Sequence, residues 1–218
     1  MKMKFAIVLC GCGVYDGSEI HEAVASMFAV EKNGGEYQIF APDAEQLHTI
    51  NHLAGNETTP NRNILEESAR IARGNIKPLS QFNSDDYDVL LFPGGFGAMK
   101  NLCNYAVAGN DCVVNPHVEQ AIKSMHEKKK TIAGICITPI LLARVLGDIK
   151  VTLGNPNEND LASLKHFGAT HIVKNATEVC HDVENKIFTT PAYMLATNVS
   201  EVFEGIDNLV KEITKQIS

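Results

Sequence analysis

The chain has 218 residues, of which 44 % are hydrophobic and 21 % charged, and its net charge is −7. This balance excludes wholesale disorder and fibrous repeats, and it is typical of a globular protein with a sizeable core. The acidic charge argues against nucleic-acid binding, and no apolar run reaches the length of a membrane span. The apolar stretch 5–10 is too short for a signal peptide and predicts a first strand, so the expected compartment is the cytoplasm.

Short apolar runs alternate with amphipathic helical patterns along most of the chain. The runs predict buried strands at 5–10, 37–41, 89–92, 131–135 and 149–153. The helical patterns lie between these runs, at 19–33, 64–73, 117–130 and 137–146. Strand alternating with helix predicts an α/β fold in which a parallel sheet carries helices on both faces.

The last part of the chain departs from this alternation. Short strands are predicted at 171–174, 178–182 and 186–190, and the last two can form a hairpin beside the main sheet. A closing helix is predicted at 200–217. The loop-rich stretch 43–63 is interpreted as an insertion, so residues 1–218 are predicted to form a single domain.

Six cysteines are scattered along the sequence, and without an export signal they are expected to be reduced thiols. Cys10 and Cys12 lack the two-residue spacer of a metal or redox pair, and no neighbouring histidine completes a zinc site. We therefore expect neither a bound metal nor an organic cofactor.

The strongest local signal is Cys136, which lies where a buried strand runs directly into a helix that has Pro139 in its first turn. Such an elbow places the sulfur near the positive end of a helix, which predicts a lowered thiol pKa and a nucleophilic thiolate. A buried, inert cysteine is an equally good interpretation of this segment taken alone.

Two glycine-rich turns follow other predicted strands. Gly94 and Gly95 follow the strand at 89–92, and their amides could form an oxyanion hole beside the cysteine, or the turn could need glycine for backbone reasons only. After the first strand, a glycine loop at 11–17 leads to Glu19 and Glu22, which lie one helical turn apart. Either carboxyl could shuttle protons near a cysteine, or both could simply complement the helix dipole.

These three segments, in this order, resemble the ThiJ/PfpI superfamily of class I glutamine-amidotransferase-like proteins. Within it the chain is similar to the ElbB-type proteins, also described as isoprenoid biosynthesis or "enhancing lycopene biosynthesis" proteins. The resemblance covers nearly the whole chain. The segments that carry it are 11–23, 40–43, 51–53, 92–97, 100–102 and 189–196.

The resemblance implies a flavodoxin-like three-layer sandwich, a homodimer, and Cys136 as the elbow nucleophile. Counting back from Gly34 places the superfamily's acid at Glu22 rather than Glu19. The donors of the oxyanion pocket would be the Gly94-Gly95 turn and the amide of Ile137.

The sequence departs from the superfamily at Ile137, where many members have a histidine. A Cys-His dyad cannot then be assembled locally, and the downstream His-x-Glu pair of glutaminases is also missing. One cysteine and one carboxyl can still hydrate a small dicarbonyl through a hemithioacetal. Because ElbB-type proteins are described as glyoxalases, the resemblance implies conversion of glyoxal or methylglyoxal to a 2-hydroxy acid, without cofactor, metal, membrane or nucleic acid.

Three alternatives stay open at this point. The protein could be a non-catalytic redox sensor or an interaction protein linked to isoprenoid biosynthesis, in which Cys136 is oxidised reversibly. It could be a protein deglycase that uses the same residues on a larger substrate. Cys12 lies in the exit loop of the first strand and could approach Cys136 to form a disulfide.

Overall fold

A computed structural model describes residues 2–217. The strands are β1 (Lys4–Val8), β2 (Glu36–Ala41), β3 (Ile76–Pro78), β4 (Val89–Phe92), β5 (Thr131–Ile135), β6 (Lys150–Val151), β7 (Thr170–His171), β8 (Cys180–Asp182) and β9 (Ile187–Thr190). The helices are α1 (Ile20–Lys32), α2 (Ile64–Ile71), α3 (Tyr105–Ala108), α4 (Pro116–Glu127), α5 (Pro139–Leu146), α6 (Glu158–His166) and α7 (Val199–Ile217).

The main sheet has seven strands in the order β3-β2-β1-β4-β5-β9-β8. All neighbours in it are parallel except β8, which pairs with β9 as the predicted antiparallel hairpin. Helices flank both faces, so the predicted flavodoxin-like α/β sandwich is confirmed. Because β1, β4 and β5 end at the same edge of the sheet, the loops that follow them meet there.

The core forms two apolar layers because successive residues of a strand point to opposite faces. Ala6 and Val8 of β1 belong to the layer beneath α4 and α5, whereas Ile7 belongs to the layer beneath α1 and α7. The central strands β4 and β5 are buried along their whole length. Their continuous apolar sequence therefore reflects burial on both sides.

The strand predicted at 149–153 is wrong in its place and length. Only β6 forms there, and it pairs with β7 in a separate two-stranded sheet. The apolar run is buried, but its amides bind side chains: Lys150 N–H donates to Asp182 at 2.7 Å and Thr152 N–H to Thr189 at 2.9 Å. Side chains of β8 and β9 thus accept hydrogen bonds that the backbone of a neighbouring strand would accept in a sheet. The predicted strand at 171–174 is reduced to β7, because this segment also has no partner strand in the main sheet.

The stretch 43–63 contains no regular helix or strand among the described residues, and two buried side chains fasten it to the glycine loop after β1. The Asp16 carboxylate accepts the Ile50 amide at 2.6 Å. The Asn101 amide group donates to the carbonyls of Cys10 and Asp16 at 2.8 Å, and its oxygen accepts the Leu47 amide at 3.0 Å. These bonds hold the glycine loop in place over the edge of the sheet.

Candidate active site

Cys136 occupies a strained elbow between β5 and α5. Its φ is +62°, a left-handed conformation that a non-glycine residue adopts at a cost. The Cys136 amide donates to the Thr190 carbonyl at 3.0 Å, and the buried Thr138 hydroxyl accepts the Ile135 amide at 2.8 Å. These bonds, with Pro139 at the first position of α5, fix the cysteine at the carboxyl end of the sheet.

The two candidate glutamates have separate roles. Glu19 is the N-cap of α1, and its carboxylate accepts the Glu22 amide at 2.7 Å. Glu22 is fully buried, and its carboxyl accepts the Gly94 amide at 2.8 Å and the Tyr193 amide at 3.3 Å. The structure therefore brings Glu22 into the site and places Glu19 at the end of the helix.

The Glu22 carboxyl interacts directly with the Cys136 thiol. Gly94 makes this contact possible, because a Cβ at that position would lie 2.5 Å from the Cys136 Cβ and 2.7 Å from Glu22 Oε2. No real side chain fits at such distances. Position 94 must therefore be glycine for Cys136 and Glu22 to lie this close together.

Burial dominates the electrostatics of this pair. Burial, and then the charge of Glu19, raises the pKa of Glu22 to about 8, although the amides of Gly94 and Tyr193 oppose the shift. Burial and the negative charge of Glu22 also raise the pKa of the Cys136 thiol. The expectation of a lowered thiol pKa is wrong for this resting state, because loss of solvent and a neighbouring carboxylate outweigh the helix end.

Two backbone amides interact with the Cys136 sulfur and lower its pKa, those of Gly95 and Ile137. Both are among the three amides predicted as oxyanion donors, and that role stays a prediction. The third, the Gly94 amide, donates to Glu22 instead. A carboxylate at Glu22 can take the thiol proton, which moves the single negative charge of the pair onto a sulfur that faces two N–H donors.

A cavity of about 290 Å³ opens over Cys136 and holds space for a small molecule. Four apolar residues and five polar or glycine residues line it with the cysteine: Val14, Phe96, Ile137 and Met194, with Glu19, Gly95, Asn157, Asp160 and Tyr193. Sequence reasoning missed Asn157, Asp160 and Tyr193. For Tyr193 a signal existed, because it lies in the segment 189–196 that carries the family resemblance and follows the carboxyl end of β9.

The second cysteine considered, Cys12, is not among the residues that line the cavity over Cys136. Burial and the charge of Glu67 raise the pKa of its thiol, whereas Cys136 interacts with Glu22. All six cysteines are free thiols.

Between residues 2 and 217 no group of three or more His, Cys, Asp or Glu side chains is arranged to hold a metal ion. No helix in the same range is long and apolar enough to cross a membrane.

Alkylation with limiting iodoacetamide should label Cys136 and Cys12 and leave the other four thiols largely unmodified. Cys136 faces the cavity and Cys12 is partly exposed, whereas the other four thiols are buried and do not line the cavity. Labelling of Cys136 should accelerate as the pH rises above neutrality, because its thiol pKa is raised. Peptide mapping after labelling at several pH values measures both effects, and preferential labelling of Cys103, Cys112 or Cys180 would contradict this arrangement.

The site thus defines a class of protein: a parallel α/β sheet with a cysteine elbow and a buried glutamate beside its sulfur. A model of the DJ-1/PfpI family matches residues 8–174, and the chain belongs to this family. The resemblance seen in the sequence is confirmed. The family includes enzymes.

Particular relatives cover almost the whole chain. The chain is 44 % identical to the ES1 protein homolog, mitochondrial, of Rattus norvegicus, over 97 % of this chain and 83 % of the relative. It is also 44 % identical to glutamine amidotransferase-like class 1 domain-containing protein 3, mitochondrial, of Homo sapiens, over 96 % and 82 %. Among solved structures, an isoprenoid biosynthesis protein with amidotransferase-like domain from Ehrlichia chaffeensis is 31 % identical, with a TM-score of 0.91 over 98 % of this chain and 100 % of that one.

The expected cytoplasmic location is wrong by this comparison, because both curated relatives are mitochondrial proteins. The expectation came from interpreting the run 5–10 as a strand. That interpretation is correct for β1, but a buried strand carries no information about the compartment.

Proposed function

We propose that the protein is a cofactor-independent glyoxalase that converts glyoxal to glycolate, with methylglyoxal as a second substrate. One observation carries the proposal: a buried Glu22 with a pKa of about 8 lies against Cys136, and Ile137 stands where an imidazole could have completed a hydrolytic dyad. A carboxyl group that can both give and take a proton near neutrality suits an internal proton transfer.

The reaction needs only these groups and water. The Cys136 sulfur bonds to one aldehyde carbon and its proton goes, by way of Glu22, to the aldehyde oxygen, which gives a hemithioacetal. Glu22 then removes the proton from that carbon and returns it to the second carbon, while a proton passes from the hemithioacetal oxygen to the neighbouring carbonyl oxygen. The hemithioacetal thereby becomes a 2-hydroxy thioester. Water attacks the thioester carbonyl, the carbon–sulfur bond breaks, and the 2-hydroxy acid leaves as the thiol is restored.

The lining of the cavity supports a small, uncharged substrate. Its volume of about 290 Å³ is large enough for a small dicarbonyl, and Phe96, Ile137 and Met194 give it an apolar wall. Glu19 and Asp160 also line it, and their carboxylates would repel an anionic substrate. Glyoxal and methylglyoxal are small and uncharged, so they meet both conditions.

The burial of the thiol favours catalysis over redox sensing. Cys136 is only 8 % exposed, and burial raises its pKa, whereas sensor cysteines are accessible thiols of low pKa. In the catalytic cycle the sulfur loses its proton only as it attacks an aldehyde already in the cavity. A raised resting pKa is therefore compatible with the glyoxalase reaction and unfavourable for oxidation in solution.

The test is product formation by the purified protein with glyoxal, methylglyoxal or glutamine. The unmodified protein should form glycolate from glyoxal and lactate from methylglyoxal, and it should release no ammonia from glutamine. Cys136→Ala should form neither acid, whereas Cys180→Ala, a matched change at the antiparallel edge strand, should keep the activity. An unmodified protein that forms no 2-hydroxy acid, or an active Cys136→Ala variant, would remove the proposal.

A further inference from the structure

Tyr193 and His21 form a hydrogen-bonded pair at the edge of the cavity above Cys136. The Tyr193 hydroxyl and His21 Nδ1 are 2.7 Å apart, and Tyr193 is one of the residues that line the cavity. His21 belongs to the first turn of α1, and Tyr193 to the turn after β9. Both segments carry the family resemblance, but the cysteine–glutamate chemistry uses neither side chain.

We propose that Tyr193 is a catalytic residue that exchanges a proton with the substrate oxygens, and that His21 is the positioning residue of its hydroxyl. This inference rests on the proposed glyoxalase function and assigns a step that Glu22 leaves open. The hemithioacetal must lose the hydrogen on its own oxygen, and the neighbouring aldehyde oxygen must gain one. These two oxygens are bonded to adjacent carbons, so one hydroxyl group beside them can serve both.

The step balances without any further reactant. Glu22 takes the hydrogen from the sulfur-bearing carbon and delivers it to the second carbon. Tyr193 gives its hydroxyl proton to the aldehyde oxygen as the carbon–carbon double bond of an enediol forms. The phenolate then takes the proton from the hemithioacetal oxygen as the thioester carbonyl forms, and both residues return to their starting states.

Two contacts and the protonation of the hydroxyl support this role. The Tyr193 amide donates to Glu22 at 3.3 Å, so the same turn holds the phenol and the carboxyl that would act on adjacent carbons. His21 Nδ1 also lies 3.8 Å from the Glu19 carboxylate, so the nitrogen that meets the Tyr193 hydroxyl has a second neighbour at the start of α1. Burial and the charges of Glu19 and Glu22 raise the pKa of Tyr193, so its hydroxyl carries its proton in the resting site.

Tyr193→Phe tests the catalytic role because it removes only the hydroxyl. We expect kcat for glyoxal to fall by about 10²-fold with little change in KM, as for the loss of a proton-transfer group. The rate at which iodoacetamide labels Cys136 should not change, because the cysteine–glutamate pair is intact. Intact-protein mass spectrometry should show the glyoxal adduct accumulating on Tyr193→Phe, since addition of the thiol precedes the slowed step.

Two further variants separate this role from a structural one. Tyr87→Phe makes the same change in a side chain packed against Phe40 and Phe82, and it should keep full turnover. His21→Asn can place an amide nitrogen where Nδ1 lies, so it should retain more activity than His21→Leu. Full turnover by Tyr193→Phe would overturn the role of Tyr193 and leave the glyoxalase function standing. Absence of turnover in the unmodified protein would overturn both.

Discussion

Glu22→Gln should lower the rate of glycolate formation from glyoxal by about 10²-fold or more, the usual worth of a positioned acid–base group. Glutamine keeps the size of the side chain and can still accept the Gly94 amide, but it cannot exchange a proton with Cys136 or with the substrate carbons. The measurement is steady-state turnover at saturating glyoxal, with circular dichroism to show that the variant folds.

Glu19→Gln is the matched control for this change. Its side-chain oxygen can still accept the Glu22 amide, so the cap persists and the loss of stability should be about 1 kcal/mol or less. Glu19 lines the cavity and lies near His21 but exchanges no proton in the proposed reaction, so most of the turnover should remain. If Glu19→Gln loses activity and Glu22→Gln keeps it, the catalytic acid must be reassigned, and if neither variant loses activity, proton transfer by a carboxyl group is excluded.

Glu22→Gln should also change how the stability of the protein depends on pH. Burial raises the pKa of Glu22 from its ordinary 4.5 to about 8. Between these values the unfolded chain is ionised at this position while the folded chain keeps its proton, so the stability from the neutral carboxyl is complete below about pH 4.5 and is lost as the pH rises through about 8. The free energy of unfolding, measured by urea denaturation, should fall less between pH 5 and pH 8 for Glu22→Gln than for the unmodified protein.

Gly94→Ala should remove turnover almost completely. The added methyl would lie 2.5 Å from the Cys136 Cβ and 2.7 Å from Glu22 Oε2, so the cysteine and the carboxyl must separate. A misplacement of about 1 Å costs on the order of 10² in rate, and overpacking of this kind costs about 1–3 kcal/mol of stability. Turnover and thermal unfolding of the variant measure the two effects.

Gly74→Ala provides the comparison, because it adds a methyl at a φ of +80° with nothing within 4 Å. It should lose about 1–2 kcal/mol of stability through backbone strain and keep its activity. An active Gly94→Ala with the same small loss of stability would show that the contact at Gly94 is not needed for the reaction.

Most of the fold could be predicted because its central strands have a simple signal. β4 and β5 are buried on both faces, so their sequences are unbroken apolar runs. β3 was missed because three residues at the edge of the sheet, ending at Pro78, give too short a pattern. The run 149–153 was misplaced because its backbone is bound by side chains from β8 and β9, a kind of partner that periodicity does not record.

The site was predictable where its residues follow strand ends and not where distant segments meet. Cys136 and Glu22 were named from the elbow and the family spacing, and the structure brings them together. Tyr193 was missed because its contact with Glu22 joins residues 171 positions apart. The thiol pKa was misjudged because a helix end is visible in the local sequence, whereas burial and the charge of Glu22 arise only from the tertiary fold.

The fastening of the stretch 43–63 has a consequence for how this region opens. Asp16 and Asn101 hold that stretch through backbone amides, and the same Asn101 also binds the glycine loop that precedes α1. An insertion without strands or helices of its own therefore shares one cooperative unit with the wall of the cavity. The amides of the stretch 43–63 should therefore be as protected from hydrogen exchange as those of the cavity wall. A proteolytic cut within the stretch would loosen the glycine loop as well.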